Sequence, residues 1–237
     1  MAAPVAQRFY QAATACEIPG GWGIRLDARQ LKSPAKREFI LPNQRLAEAV
    51  AVEWAAQGAK IDPASMPLMQ LAATAIDRIA LNRAEIEAEV AGYGATDLVC
   101  YRAAEPRSLQ ERQQAAWDPL LAWLRQRFDA SLNVTGGIVA VTQPAQALAI
   151  LRRAVAAQDD FRLAALAVLT STAGSLVIGL AVAEGRLSAA EGTAAAQLEE
   201  LYQAERWGAD AEAVSRRRLQ AEDMAQARRF LDLLGPA

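Results

Sequence analysis

Residues 163–183, LAALAVLTSTAGSLVIGLAVA, form a stretch of 21 amino acids without a charged side chain. A helix of that length spans about 30 Å, enough to cross a bilayer or to fill the centre of a helical domain. Much of the stretch is Ala, Ser, Thr and Gly, and no cluster of basic or aromatic residues flanks it. The sequence therefore favours one buried central helix in an all-α domain, with a membrane span as the alternative.

Residues 46–79 hold two helical patterns joined by a loop that contains prolines. In each pattern the apolar residues recur at three- and four-residue spacing, which places them on one face of a helix. Asn43 is suited to cap the first helix, and Gly58 is suited to a left-handed position at its end. Pro63 and Pro67 predict an extended connection, because the residue before a proline disfavours the α region.

Alternating apolar residues ahead of this segment indicate short strands. We predict strands at 22–26, 29–32 and 37–41, with a hairpin turn at Asp27-Ala28. Strands that precede a series of helices predict an α+β fold. The expected organisation is a small N-terminal domain that contains antiparallel strands, residues 1–84, followed by a larger all-α domain, residues 85–237.

Helical periodicity continues through the second half of the chain. The predicted helices cover 83–92, 108–128, 144–157, 163–183, 188–207 and the residues after Asp210. At Pro119 either the helix 108–128 kinks or Asp118 caps a new helix. Ser188 and Glu191 have the spacing of a capping box. In the helix that ends at Trp207 we expect the side chains of Leu198, Leu201 and Tyr202 to face the core. Two ion pairs at i,i+4 spacing are expected in the last helix, Glu212 with Arg216 and Arg218 with Glu222.

The composition excludes several kinds of active site. The chain has no histidine, which removes Ser-His-Asp and Cys-His catalysis and histidine-ligated zinc. Cys16 and Cys100 are too few for a metal site and are expected to be free thiols. A net charge of −2 gives no basic footprint for nucleic acid. We therefore expect no cofactor, no metal, no nucleic acid and no small-molecule substrate.

Two groups of residues are candidates for catalytic machinery. Neighbouring helical residues point about 100° apart, so Glu199 and Glu200 are poorly placed to share a proton as a dyad. Asp97 and Cys100 lack a histidine that would activate the thiol. A binding protein therefore fits better than an enzyme. The alternative is a small helical enzyme or ligand carrier with a pocket between the domains.

Several segments carry a family resemblance. They are RFY at 8–10, GGW…LDARQLKSP at 20–34, AVEWAAQ…IDPASMPLMQLAATAIDR at 51–78, DLVCYR at 97–102 and EELYQAERWGAD at 199–210. In this order they resemble the chaperone family that assembles the F1 head of ATP synthase, specifically its bacterial members that act on the alpha subunit. The matching segments extend from about residue 8 to residue 234.

The resemblance implies a non-enzymatic chaperone that binds the free alpha subunit. It would cover the surface that later packs against the beta subunit until beta displaces it, without nucleotide. A bacterial member would be cytoplasmic, whereas eukaryotic relatives lie in the mitochondrial matrix; the first 19 residues also lack the apolar core of a signal peptide.

Two positions are functionally sensitive in that family. The acidic one matches Glu199 or Glu200, and the tryptophan of the Glu-Trp pair matches Trp54. Aromatic and methionine side chains are candidate anchors for a protein partner, although a tryptophan at helical spacing can equally belong to the core. The predicted partner-binding residues are Glu199, Glu200, Trp54, Trp207 and Met66.

Overall fold

The structure, a computed structural model, describes residues 7–137 and 140–236. The chain divides into two units. Unit 1 comprises the described parts of Met1–Arg83 and Arg229–Ala237 together with Asp160–Ala164, and unit 2 comprises Ala84–Asp159 and Ala165–Arg228. The predicted domain division after residue 84 would assign the two later segments of unit 1 to the second domain, and it stays a prediction.

Short strands open the described chain, and helices follow, which confirms the α+β fold class. The strands are β1 (Ala13–Ile18), β2 (Gly21–Leu26), β3 (Arg29–Gln30), β4 (Tyr101–Arg102) and β5 (Thr135–Gly136). The helices are α1 (Gln44–Ala55), α2 (Pro67–Thr74), α3 (Ala80–Gly92), α4 (Arg107–Phe128), α5 (Ala145–Ala156), α6 (Asp160–Ala173), α7 (Leu176–Ala183), α8 (Ala189–Ala196), α9 (Leu198–Trp207) and α10 (Ala211–Leu234).

The sheet of unit 1 is a meander in which β2 pairs antiparallel with both β1 and β3. The sequence predicted β2 and β3 but missed β1, whose residues, ATACEI, include few strong strand formers. The third predicted strand, 37–41, was wrong, because that segment contributes only isolated bridges, Trp22 with Leu41 and Lys32 with Glu38. Leu41 still exchanges two backbone hydrogen bonds with Trp22 of β2, at 2.9 and 2.7 Å.

Asp27 forms the turn between β2 and β3, as predicted. Its φ of 52° lies in the left-handed region that Asp tolerates. Its carboxylate accepts hydrogen bonds from the backbone amides of Gln11 at 3.1 Å and Ala12 at 2.9 Å. These bonds hold the pKa of Asp27 below its ordinary value. The turn therefore also fixes the chain that leads into β1.

α1 begins as predicted, because the Asn43 side chain accepts a hydrogen bond from the Leu46 amide at 2.9 Å. The helix ends at Ala55 with Ala56 in the right-handed region, so the left-handed end predicted at Gly58 was wrong. α2 is followed by a π-helical turn, Ala75–Ile79, and then by α3, in which Asn82 departs from helical dihedral angles.

The uncharged stretch 163–183 is two helices rather than the single helix that was predicted. α6 ends at Ala173, Gly174 has a φ of +64°, and the Ser175 hydroxyl caps α7 by accepting from the Ile178 amide at 3.0 Å. Within unit 2 the backbone of α7 approaches Thr170 closely, since a Cβ on Gly179 would lie 2.5 Å from the Thr170 hydroxyl oxygen. Across residues 7–137 and 140–236, no helix combines the length and the apolarity that a membrane span requires.

Other predicted helices of unit 2 differ in detail. α4 runs through Pro119 as one helix and ends where Asp129 takes a φ of 57°. The helix predicted from the capping box at Ser188 is interrupted at Gln197, which separates α8 from α9. The capping box itself is confirmed, with Glu191 and Ser188 bonded in both directions.

Candidate protein-binding surface on α9 and α10

α9 and α10 are joined by a three-residue turn that starts at Gly208. Gly208 has a φ of 84°, which ends α9. The Asp210 carboxylate then accepts hydrogen bonds from the amides of Glu212 at 2.8 Å and Ala213 at 3.0 Å, and these bonds lower its pKa. The helix end at Trp207 and the start of a further helix after Asp210 were predicted from the sequence. The turn brings two helix faces together around a groove.

This groove, which we call the Trp207 groove, has a volume of about 480 Å³. Its lining includes Glu200, Gln203, Ala204 and Trp207 from α9 and Ala213, Arg216 and Arg217 from α10. Trp207 is 76% exposed. An indole so exposed contributes little to the core, whereas a partner that covered it would gain a large apolar contact.

Glu200 lies in the groove and pairs with two arginines of α10. Its carboxylate is 3.2 Å from an Arg216 guanidinium nitrogen and 3.9 Å from one of Arg217. The pair predicted between Glu212 and Arg216 is not the one formed; Arg216 pairs with Glu200 instead, because α9 brings that carboxylate closer. The Glu200 side chain remains 42% exposed, so the ion pair is a surface interaction of about 0–1 kcal/mol.

Glu199 has a different environment from its neighbour. Its carboxylate accepts a hydrogen bond from the side-chain amide of Gln113, which is fully buried. The Gln113 carbonyl oxygen in turn accepts from the Ala103 amide at 2.8 Å. Glu199 therefore helps to satisfy a buried polar group inside unit 2 and does not line the groove.

Large apolar side chains are exposed on both helices. Leu201 is 39% exposed, Val214 48% and Leu219 53%. The expectation that Leu201 faces the core was wrong, whereas Tyr202, 2% exposed, does face it. Half of the exposed large apolar side chains among the described residues belong to α9 and α10. Val214 and Leu219 were missed, although apolar residues in a helix rich in Arg and Glu were a signal that could have been used.

Trp54 and Met66 lie in the core of unit 1, where they are 8% and 3% exposed. The Trp54 ring meets the Tyr10 ring edge to face at 5.7 Å. The Tyr10 hydroxyl donates a 2.7 Å hydrogen bond to the Trp54 carbonyl oxygen. As folded, neither Trp54 nor Met66 presents a surface to a partner, and both belong to the packed core of unit 1.

Glu53, which precedes Trp54, has a structural role that the sequence did not reveal. Its two carboxylate oxygens accept hydrogen bonds from the amides of Leu68 at 2.9 Å and Met69 at 2.8 Å. Those amides belong to the first turn of α2, whose N-cap residue Met66 offers no side-chain cap. Burial raises the pKa of Glu53 although both hydrogen bonds lower it. Glu53 is thus a helix cap supplied from α1, 15 residues away in sequence.

The candidate catalytic pair Asp97 and Cys100 is buried in unit 2. The Asp97 carboxylate accepts hydrogen bonds from the Ser175 hydroxyl at 2.5 Å and the Val177 amide at 3.0 Å, which places it at the start of α7. Burial raises the pKa of Asp97 to about 6 and that of Cys100 to about 12. A thiol with such a pKa is a poor nucleophile.

In the part of the chain that the structure describes, no three side chains of His, Cys, Asp or Glu converge as a metal site. Glu199, Glu200 and Trp207 share α9, whereas Trp54 and Met66 belong to unit 1. The structure thus places the five predicted partner-binding residues in two separate groups, and in the group on α9 only Glu200 and Trp207 line the Trp207 groove.

Comparisons with known proteins give a consistent picture. The family profile described as ATP12 chaperone protein matches residues 7–125, half of the chain. The mitochondrial protein atp12 of Schizosaccharomyces pombe is 27% identical over 218 residues, which cover 86% of this chain and 75% of that protein. The crystal structure of Atp12 from Paracoccus denitrificans is 39% identical, with a TM-score of 0.93, and the match covers 96% of this chain and 98% of that one. A protein from Agrobacterium tumefaciens is 36% identical, also with a TM-score of 0.93, over 98% of this chain and 87% of its own.

Proposed function

Because this chain belongs to the ATP12 chaperone protein family, we propose that it binds the free alpha subunit of F1-ATPase and shields its beta-facing surface until beta displaces it. The family acts in the assembly of ATP synthase and is a family of chaperones, not of enzymes. An obligate subunit interface is more apolar than ordinary surface and promotes aggregation while its partner is absent. A chaperone that covers this surface keeps the subunit available for assembly.

The Trp207 groove is the observation that supports a binding role most directly. It combines an exposed tryptophan with two arginines, and Trp and Arg are residue types that dominate binding energy at protein interfaces. Glu200 forms ion pairs with both arginines, and exposed ion pairs of this kind contribute little stability. A charged group of the partner can therefore replace Glu200 beside the arginines at a small free-energy cost.

Within this proposal the five candidate residues take two roles. Trp207 and Glu200 contact the alpha subunit directly. Glu199, Trp54 and Met66 act through the fold, because each is engaged in hydrogen bonding or packing inside its own unit. Binding and release proceed without nucleotide or cofactor, in the bacterial cytoplasm, and release occurs because beta has the higher affinity for alpha.

Co-purification tests the function. The tagged protein is expressed with the alpha subunit alone and then with alpha and beta together. We expect capture of alpha in the first case and loss of alpha in the second, since beta competes for the same surface. If alpha and beta are soluble and neither is captured, the proposed client is incorrect.

A charge reversal tests the groove. Glu200→Lys removes both ion pairs and places a third positive charge beside Arg216 and Arg217, so we expect loss of alpha capture with an unchanged thermal melt. Glu222→Lys is the matched control, because Glu222 is an exposed carboxylate of α10 that pairs with Arg218 away from the groove. If both variants lose alpha capture equally, the net charge of the protein rather than the groove determines binding.

A further inference from the structure

The outer edge of β1 carries main-chain groups that no other part of the described chain uses. The Ala12 carbonyl accepts a hydrogen bond from the Asp27 amide at 2.9 Å, which fixes the alternation of the antiparallel ladder. From there, alternate residues of β1 direct their amide and carbonyl groups towards β2 or away from it. The inward residues are Thr14, Cys16 and Ile18, and the outward residues are Ala13, Ala15 and Glu17.

A groove lies directly beside this edge. The register pairs Ala13 with Leu26 and Ala15 with Ile24, and both partners are buried, so this face of the sheet is the one that packs on the core. It borders a groove of about 330 Å³, the β1 groove, whose lining includes Ala13, Ala15, Trp22, Ala51, Val52 and Ala55.

The residues of the β1 groove leave space for the side chains of another segment. Ala13 and Ala15 are small, and Val52 of α1 is 63% exposed although it is a large apolar residue. A strand added next to β1 would place every second side chain over Val52 and its alanine neighbours. Glu48 is an exposed acidic residue of the same groove.

The edge also lacks the features that usually prevent strand addition. Exposed edges are commonly made short or protected with Lys, Pro or a bulge. β1 has six residues, contains neither Lys nor Pro, and pairs with β2 without an irregularity in register. Its only charged residue is Glu17.

We propose that the edge of β1 binds an extended segment of the client polypeptide, which adds to the sheet as a further strand. The inference rests on the proposed chaperone function and adds a second contact to that of the Trp207 groove. The segment that fits has apolar residues at alternate positions and a basic residue where it passes Glu48. Outward main-chain groups, spaced about 6.7 Å apart, select an extended chain, because a helix has already used its own amides and carbonyls.

Deuterium exchange of single amides tests the strand addition. The probe is the wild-type protein, free and in complex with the alpha subunit, with exchange resolved to individual residues by fragmentation. We expect the amides of Ala13, Ala15 and Glu17 to exchange freely in the free protein and to become protected in the complex. The amides of Thr14 and Cys16 serve as internal controls, because their bonds to β2 protect them in both states.

Three other outcomes of the exchange experiment would each overturn the strand addition. If alpha is captured and the outward amides remain unprotected, strand addition is overturned while the chaperone function stands. If the wild type captures no alpha, the proposed function fails and the inference with it. If the outward amides are protected in the free protein, another part of the chain or a second copy already covers the edge, which also overturns the proposal.

Two variants test the same contact through affinity. Ala15→Pro removes an outward amide without removing a bond to β2, and we expect alpha to bind about tenfold more weakly, equivalent to about 1.4 kcal/mol. Val52→Lys places a charge over the groove, and its matched control is Leu81→Lys, since Leu81 is similarly exposed at 60%. Wild-type affinity in both Ala15→Pro and Val52→Lys, with unchanged melts, would refute the strand addition.

Discussion

Trp54 and Trp207 are two tryptophans in opposite environments. Both end or nearly end a helix, α1 and α9 respectively, yet Trp54 is 8% exposed and Trp207 is 76% exposed. The Trp54 ring contacts Tyr10, whereas Trp207 borders an open groove. The difference teaches that an aromatic residue within a family motif can be sensitive because it holds the fold or because it meets a partner. Stability and binding measurements separate the two cases.

The largest effect on stability is expected from Trp54→Ala. Removing a buried indole leaves a cavity and should lower the free energy of unfolding by about 3–5 kcal/mol. Urea unfolding followed by circular dichroism measures this change. Trp54→Phe keeps an aromatic ring against Tyr10, so its free energy of unfolding should fall by clearly less than that of Trp54→Ala. A small loss in Trp54→Ala would mean that the residue is not the core element that its burial indicates.

A smaller loss of stability is expected from Glu53→Ala, which removes the cap of α2. The amides of Leu68 and Met69 would lose their acceptors, and an unsatisfied buried donor costs about 1–3 kcal/mol. Glu48→Ala is the control on the same helix, since Glu48 is exposed and its loss should change stability by no more than about 0.5 kcal/mol. Equal effects in the two variants would show that the cap contributes nothing.

Local signals in the sequence predicted a large part of the fold. Asn43 and Ser188 begin helices because their side chains bond to amides a few residues further on. Asp27 forms a turn because an Asp tolerates the left-handed conformation that the turn requires. Interactions between residues that are far apart in the sequence could not be predicted from it. Gly174 interrupts an apolar stretch that reads as continuous, and β1 is a strand because β2 pairs with it rather than because of its own residues.

The candidate site was predictable to the level of the helix and not to the level of the side chain. The spacing of α9 placed Glu199 and Glu200 together, but only the packing of α10 shows that Glu200 faces Arg216. Gln113, which binds Glu199, is 86 residues away in sequence. The sequence also did not show which apolar side chains are exposed. The periodicity that predicted a buried Leu201 fits equally well a helix with one exposed apolar edge.

The pH dependence of stability provides a further contrast between a buried and an exposed carboxyl group. The pKa of Asp97 is about 6 in the folded protein and about 3.9 when unfolded, so the folded state binds more protons between these values. The contribution of Asp97 is therefore fully present below about pH 4 and lost as the pH rises through 6. Burial raises the pKa of Glu53 and Asp223 as well, which acts in the same direction.

Asp97→Asn should flatten that dependence, as measured by urea unfolding at intervals between pH 4 and pH 7. Asp27→Asn is the counterpart, because the backbone amides lower the pKa of Asp27. The stability that Asp27 provides is present above about pH 4 and is lost below it. Its variant should therefore keep the slope between pH 4 and pH 6. An unaltered slope in Asp97→Asn would mean that Asp97 does not titrate in this range.

The smallest effect on stability, and the sharpest contrast with Trp54, is expected from Trp207→Ala. An indole that is 76% exposed has little surface to lose from the core, so the free energy of unfolding should change by about 0.5 kcal/mol or less. Alpha capture should nevertheless be lost, because the groove would lack its aromatic anchor. Leu81→Ala controls for the loss of an exposed apolar side chain elsewhere and should capture alpha normally. If Trp207→Ala captures alpha as the wild type does, the groove is not the client surface, and the β1 edge becomes the stronger candidate.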